Sequence, residues 1–571
     1  MPASRQISHP KGLYILFATE MWERFNYYGM RAVLILFMTK ALLFNKAFAA
    51  NLYGSYTGLI YLTPLLGGYI ADRYWGNSRS IIVGGILMAL GELILFFSGS
   101  LYHTYPQATL LLFFSGLGCM ITGNGFFKPN ISSLVGQLYP EGDKRKDTAY
   151  TIFYMGINTG GALGPIICGL AGDTGDPADF RWAFLAGGVS MVISVIVQAV
   201  FHQRYVTDPA GRELGLPPEN KTTSTFQPFQ TTVKLLLLTL VMIGLLYLDA
   251  EVVNYLSYLL LAAVILIAVI IFKDTSLTSE EKQRVTVIFI VSFFVIFFWA
   301  AFEQAGASLT FFADEQTNRK LNWAIPVWSI HLVSGMLLYV LYRLFRKTKQ
   351  QLSSTDDRRL RNTLYGLISG VGILLAGTNL YLLQQQQPNL SLDEIPPSLF
   401  LSLGSIYVVL FAPFFAWLWP RLGRYEPPAP AKMAIGLLFL SLGYLWIAFG
   451  VRAAGPGIKV SVIWITGMYA LHSFGELCLS PIGLSLVNKL SPVKFSSLLM
   501  AVWFLAAAAA NKLAGVLSSL YPEPGRTIVL GGYAIQSAYD FFLLFVVIVG
   551  VAVLLLFMLS RWLTGMMVVR K

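Results

Sequence analysis

Long apolar runs constrain this chain more than any other feature. Leu235–Leu248, Leu259–Phe272, Val285–Trp299 and Phe541–Leu559 carry few or no charges. A run of roughly 17–25 such residues is long enough to cross a hydrocarbon core about 30 Å thick. Several shorter runs reach that length by including flanking Gly, Ser and Tyr. Composition points the same way: 56% of the 571 residues are hydrophobic and 12% are charged. A soluble domain carries about 25% charged residues, so too little polar surface remains here to clothe a water-soluble globule. The net charge of +12 reads as basic loops on one side of a membrane, not as a nucleic-acid surface. Cys119, Cys168 and Cys478 lie inside apolar segments without metal or disulfide spacing and read as packing residues. The first apolar run follows Arg5 and Lys11 and is interrupted at Glu20–Arg24, which fits a retained helix and not a cleaved signal.

Hydropathy predicts about sixteen spanning helices. Six run from about Leu13 to Phe201, and a polar linker, His202–Thr232, follows. A helical pair at Val233–Asp249 and Val252–Phe272 precedes a seventh core helix at Val285–Phe302. A second pair is predicted at Trp323–Leu344 and Leu364–Leu383, and five more helices start near Pro397, Met433, Val460, Phe495 and Ala538. The expected domains are therefore 1–203, 204–282 and 283–571, the last interrupted at about 321–385. The loops Arg73–Arg79, Lys144–Lys146, Arg204–Lys234, Lys273–Arg284, Arg343–Arg361, Arg421–Lys432 and Lys489–Lys494 and the tail Arg570–Lys571 are basic. The positive-inside rule then places both termini on the cytoplasmic side of the membrane. Lys40, Lys46, Arg319, Lys320, Arg452, Lys459 and Arg526 are exceptions to it.

A charged side chain at the centre of a membrane helix costs roughly 2.5–3.5 kcal/mol on insertion scales, so each one needs a reason. At about 100° per residue, Glu20, Glu23, Arg24, Tyr27, Tyr28 and Arg31 form one stripe on the first helix. Isolated charges recur later: Lys128 within Gly123–Asn130, Glu303 after Trp299, and Glu476 before Ser480-Pro481. Burial favours the neutral form of a carboxylate and a neighbouring Arg or Lys favours its charged form, so a group held between the two can carry a proton. The competing explanation is a set of structural ion pairs between helices. His472, four residues before Glu476, reads as a packing residue that could also relay a proton. No nucleotide-binding loop, metal cluster or nucleophile–base pair is visible. The expectation is a transporter, not an enzyme, without cofactor and driven by the proton gradient.

These residues resemble the signatures of the proton-dependent oligopeptide transporter family of the major facilitator superfamily. The first-helix pattern is present as Glu20, Glu23, Arg24, Phe25, Tyr27 and Tyr28, and the superfamily loop motif as Gly67–Gly76. Further motifs are Phe153-Tyr154 with Asn158 and Gly160, and Gly475-Glu476 with Ser480-Pro481 and Asn488-Lys489. The resemblance covers the chain apart from about Ala324–Asp393. It implies an all-α, polytopic membrane protein with the major facilitator fold: two six-helix bundles, an accessory helix pair between the halves, and a second pair inserted after core helix 7. It implies that Glu476 receives a peptide's amino terminus and that Arg31 and Lys128 receive its carboxylate. Tyr27, Tyr61, Tyr154 and Asn158 would meet the peptide backbone, with Gln304 and Ser480 beside them, and Trp299 and Trp503 would line side-chain pockets. Glu20, Glu23, Arg24 and Glu303 would couple protons, through pairing of Arg31 with Glu303 and of Lys128 with the first-helix acids. Asp72 and Arg73 would gate. The expected partners are small peptides, protons and the bilayer, with no nucleic acid. Where the family carries amides in its eighth core helix, this chain reads Leu401-Ser402-Leu403-Gly404. That departure keeps open a non-peptide cargo on the same fold. The inserted pair keeps open a nutrient sensor or scaffold, or a lipid-facing appendage.

Overall fold

The structure, a computed structural model, describes residues 8–140, 142–143, 145–217, 228–251, 255–351, 358–384, 388–454, 458–523 and 525–567. Lys144, Arg570 and Lys571 and much of the polar linker lie outside them.

The first bundle contains α1 (Lys11–Leu36), α2 (Lys46–Leu62), the short α3 (Pro64–Ile70), α4 (Asn77–Leu101), α5 (Pro106–Gln137), α6 (Arg145–Gly172) and α7 (Phe180–Tyr205). The accessory pair is α8 (Pro228–Glu251) and α9 (Tyr255–Lys273). The second bundle begins with α10 (Ser279–Phe302) and the short α11 (Ser308–Glu315), followed by strands β1 (Thr317–Asn318) and β2 (Lys320–Pro326). The inserted pair is α12 (Val327–Gln351) and α13 (Arg358–Gln384), and β3 (Asn389–Glu394) closes it. Then come α14 (Ser402–Arg421), α15 (Ala429–Ala454), β4 (Val460–Ser461), α16 (Val462–Leu490), α17 (Ser496–Ser518), β5 (Ile528–Leu530), β6 (Tyr533–Ile535) and α18 (Ala538–Met567). Thirteen of the described spans are long and apolar enough to cross a membrane; α1, α2 and α8, less apolar or shorter, pack with them and complete the sixteen expected helices. An even number of crossings leaves both chain ends on one side, here the terminal end; the opposite side is the far end.

Local chemistry fixes several boundaries. Thr278 and Glu281 form a reciprocal capping box, so α10 starts at Ser279, inside the basic loop Lys273–Arg284 and ahead of the apolar run that signalled it. The inserted helices were expected from Trp323, but Lys320–Pro326 is instead a strand, paired antiparallel with Asn389–Glu394. At its other end α12 runs on through Arg343, Arg346 and Lys347 to Gln351, since long basic side chains keep their charge in water while their stems cover apolar surface.

Small residues set the closest helix contacts, as is usual where lipid gives no hydrophobic push. A Cβ on Gly160 of α6 would stand 2.1 Å from the Met21 carbonyl oxygen of α1. Across the bundles, a Cβ on Gly54 of α2 would stand 2.6 Å from the Gly515 Cα of α17. The inserted pair belongs by sequence to the second bundle yet docks on the first. Leu341, Leu344, Leu364, Ile368 and Val371 form one buried cluster with Val192–Val200 of α7. Lys347 Nζ lies 5.1 Å from the centre of the Phe201 ring.

Ion pairs join the bundles at the far end. Lys40 Nζ lies 2.8 Å from Asp314 Oδ2, and Lys46 pairs with Glu315. Arg319 holds Asp314 at 3.4 Å and Glu394 at 3.1 Å. Three of the exceptions to the charge rule are thus partners in this cluster. Asp173 Oδ2, just past α6, accepts from the backbone N (3.1 Å) and Oγ (2.9 Å) of Ser398 before α14. At the terminal end, none of the described ion pairs joins the two bundles.

Two loop carboxylates respond to pH in opposite senses. Hydrogen bonds from Lys494 and Ser276 lower Asp274 to about 2, so its tie to Lys494 persists until pH falls through that value. Burial raises Asp173, against the pull of Lys40 and Ser398. A raised carboxyl favours the tied far end in acid, and that contribution is lost as pH rises through the raised value. Asp173→Asn removes the buried charge but keeps an acceptor. Spin labels on the exposed residues Tyr105 and Ile458 should therefore report a more closed far end in Asp173→Asn than in wild type at neutral pH. The difference should vanish on acidification; a difference independent of pH would contradict the assignment.

Candidate functional site

The stripe on α1 faces inward. Glu20, Glu23, Arg24 and Arg31 are each buried to within 3% of full burial. Glu20 and Glu23 converge on one guanidinium: Arg24 Nε lies 2.8 Å from Glu20 Oε1 and 2.7 Å from Glu23 Oε2. Asn124 of α5 donates to Glu23 Oε1 at 3.0 Å. It stands one helical turn before Lys128, and that spacing is the sequence signal that could have found it. Toward the far end, Arg31 donates through Nε to the Tyr53 hydroxyl and pairs through Nη2 with Glu303, across the bundle interface. Its guanidinium also lies 5.8 and 5.5 Å from the ring centres of Tyr27 and Tyr53. Tyr53 carries no charge and sits in an ordinary aromatic context, so nothing in the pattern of residues marks it out.

A second group of side chains is half-buried: Tyr61, Lys128, Tyr154, Trp299, Glu476 and Ser480. The Tyr154 hydroxyl of α6 donates to Glu476 Oε1 of α16 at 3.3 Å, a second contact between bundles. Asn158 is buried and donates to the Tyr154 carbonyl at 3.0 Å. Lys128 Nζ lies 4.0 Å from the centre of the Tyr61 ring. Tyr27 is buried, and its hydroxyl has no hydrogen-bond partner among the described residues. Trp299 packs edge-on to Phe298 and Phe302. Trp503 is buried with its ring against Gly483, where a Cβ would stand 2.1 Å away.

The geometry corrects some expectations. Gln304 is fully buried and its amide is engaged in structure: Nε2 donates to the carbonyls of Ala300 and Ala514 at 3.0 Å, and Oε1 accepts from Ser308 and Ser518 at 2.6 Å. It anchors the end of α10 to α17 and has no free group for a ligand. Among the described contacts Lys128 forms no ion pair with Glu20 or Glu23: Arg24 lies against both carboxylates, Asn124 donates to Glu23, and Lys128 sits over the Tyr61 ring instead. Asp72 and Arg73 are exposed in a π-helical turn at the terminal end. Arg73 donates to Tyr69 of its own helix at 3.2 Å, and neither residue bonds to the second bundle among the described contacts. His472 is buried against Tyr444, ring centres 4.9 Å apart. A cavity of about 730 Å³ lies away from these residues, at the far-end mouth beside Lys46 and Glu315.

Electrostatically the arrangement is polarised. Glu476 faces the site from the second bundle and Arg31 and Lys128 face it from the first, with Glu303 of the second bundle already tied to Arg31. A ligand carrying one cation and one anion can bridge them in a medium of low dielectric.

The profile of the POT family (PTR2) matches residues 78–356 and 374–534. A peptide transporter of Yersinia enterocolitica, YePEPT, is 30% identical, covering 89% of this chain and 87% of its own. A di-/tripeptide transporter of Lactococcus lactis is 28% identical over 90% of both chains. A crystal structure of a POT family transporter in complex with 5-aminolevulinic acid superposes with a TM-score of 0.72 at 26% identity, covering 98% of each chain.

Removing one partner of a buried ion pair costs about 3–5 kcal/mol, because the other is left uncompensated. Arg31→Ala and Glu303→Ala should each lower the melting temperature in detergent more than the double variant does. Additive losses would show that the pair is not energetically coupled.

Proposed function

Because the chain belongs to the POT family, we propose that it imports di- and tripeptides together with protons, by alternating access across the bacterial inner membrane, with both termini in the cytoplasm. The observation that carries this reading is the placement of Glu476 in one bundle opposite Arg31 and Lys128 in the other. The peptide's ammonium group pairs with Glu476 and its carboxylate with Arg31 and Lys128, so binding draws the bundles together. Tyr61, Tyr154 and Asn158 supply hydrogen bonds to the peptide backbone, and the aromatic walls around Trp299 admit varied side chains. The ion-paired far end, with no described ion pair joining the bundles at the terminal end, fits a cytoplasm-facing state. Protons act through the acids of α1 and through Glu303: protonating Glu303 frees Arg31 from its cross-bundle tie and makes it available to the peptide carboxylate.

A second reading keeps the fold and changes the cargo to a smaller zwitterion. It rests on Gly404, where an added Cβ would meet nothing within 4 Å, so α14 offers no side chain to a peptide there.

Uptake of radiolabelled dialanine into proteoliposomes tests both readings. An inward proton gradient should drive accumulation in wild type, and Glu476→Gln should abolish it. Gradient-driven uptake of a labelled small amino acid, with none of dialanine, would favour the second reading. A folded wild type that takes up neither would sink the first.

A further inference from the structure

The first bundle contains a polar assembly that the substrate site does not use. It lies on a different face of α1 from the charged stripe, among α1, α4 and α7. Glu92 of α4 is fully buried. Its Oε1 accepts from Asn26 Nδ2 at 2.8 Å, while among the described residues neither its Oε2 nor Asn26 Oδ1 has a hydrogen-bond partner. The groups around Glu92 are Asn26 from α1, Tyr56 from α2, Cys168 from α6 and Gly187 from α7, where a Cβ would stand 2.9 Å from Oε1. Among the described residues no cation acts on it from any packed element, α5 included.

A carboxylate can only accept hydrogen bonds, and so can the Asn26 carbonyl oxygen. Leaving both unpaired in a dry interior is unfavourable, and leaving a charge there more so. One proton on Oε2 supplies the missing donor. Glu92 and Asn26 then become an acid–amide pair in which each group can donate and accept.

A file of buried polar side chains leads away from this pair along α7, at four-residue spacing: Ser190, Ser194, Gln198 and His202. Ser190 Oγ donates to the Gly187 carbonyl at 2.7 Å, next to Glu92. Ser194 Oγ donates to the Thr19 carbonyl at 2.6 Å, and Thr19 Oγ1 donates to Gln198 Oε1 at 3.3 Å. Gln198 Nε2 lies 2.8 Å from His202 Nδ1. His202 Nε2 lies 2.8 Å from the Leu214 carbonyl and 4.0 Å from Glu213, which is partly exposed at the terminal end. A helix packed in an apolar bundle has no packing reason to align four polar residues toward one buried acid.

We propose that Glu92 is a proton-binding site in the first bundle, separate from the substrate site, and that its proton exchanges with the terminal-end solution along the polar face of α7. Occupancy of the site by a proton stands independently of the cargo; its use in coupling rests on the peptide–proton reading.

Infrared difference spectra of the purified, substrate-free full chain test the site. Wild type should show a protonated-carboxyl band that Glu92→Gln loses, since the glutamine amide replaces the donor and preserves the pairing with Asn26. If Glu92→Gln does not fold, Asn26→Leu makes the same assignment by shifting the band. The band should shift in D2O, and Gln198→Leu should slow that shift. A band unaffected by these variants at Glu92 and Asn26, or one that does not exchange with D2O, overturns the proposal. In proteoliposomes, Glu92→Gln should retain peptide counterflow and lower the proton-to-peptide ratio read from the reversal potential; an unchanged ratio removes Glu92 from coupling. Absence of counterflow in wild type would sink the peptide reading and leave the infrared result standing.

Discussion

Arg31 and Glu303 meet out of water, one from each bundle, and that pairing is the constraint to which the other polar contacts adapt. Two opposite charges buried together are tolerable only while they stay together. Arg31 is further fixed by the Tyr53 hydroxyl and by the faces of Tyr27 and Tyr53, so its guanidinium has little freedom except along the bundle interface. A proton or an anion that competes for either member changes the energy of the interface itself and not merely of a local site. Arg24 is different. It is held within its own helix by Glu20 and Glu23, and it stabilises a dense cluster of charge without bridging the halves. The same helix thus carries one pair that ties bundles together and one that does not.

Closure of the far end is built from contacts that are individually weaker. Lys40–Asp314 and Lys46–Glu315 are partly exposed, and exposed pairs contribute about 0–1 kcal/mol each. Such contacts can be broken cheaply, which suits a gate. Specificity of closure comes instead from shape: Gly54 and Gly515 let the backbones of α2 and α17 touch, and any side chain there would hold the bundles apart. Charge supplies the reversible part and glycine supplies the fit.

Much of this was legible in the sequence, for identifiable reasons. Apolar runs report spanning helices directly, and the stripe from Glu20 to Arg31 is periodic, so both its existence and its inward orientation followed from spacing alone. What stayed hidden depends on contacts between residues far apart in the chain. The resemblance implied Gln304 as a ligand group, but its amide is taken up by α17, a helix that begins nearly two hundred residues later. The partners of Lys128 could not be ranked without knowing that Arg24 and Asn124 stand against the acids and that the Tyr61 ring lies beneath its ammonium group. Lys40 and Lys46 broke the charge rule, and their explanation lay in Asp314 and Glu315, which no local pattern connects to them. Strands β2 and β3 are too short, and too polar at their ends, to stand out from loops.

The inserted pair links these themes. Its root is the β2–β3 ribbon, held by Arg319, which also grips Asp314 of the far-end cluster. Its body lies against α7 of the opposite bundle through an apolar seam of Leu, Ile and Val. An appendage facing only lipid would not need that seam. If the two bundles rock about the interface, root and body belong to different moving parts. Either the ribbon flexes or the seam on α7 slides. The seam is aliphatic apart from Lys347 over the Phe201 ring, whereas the ribbon is paired from Trp323 to Pro326 and, across a register shift, at Lys320, and is anchored at Arg319. Sliding along α7 is therefore the softer mode.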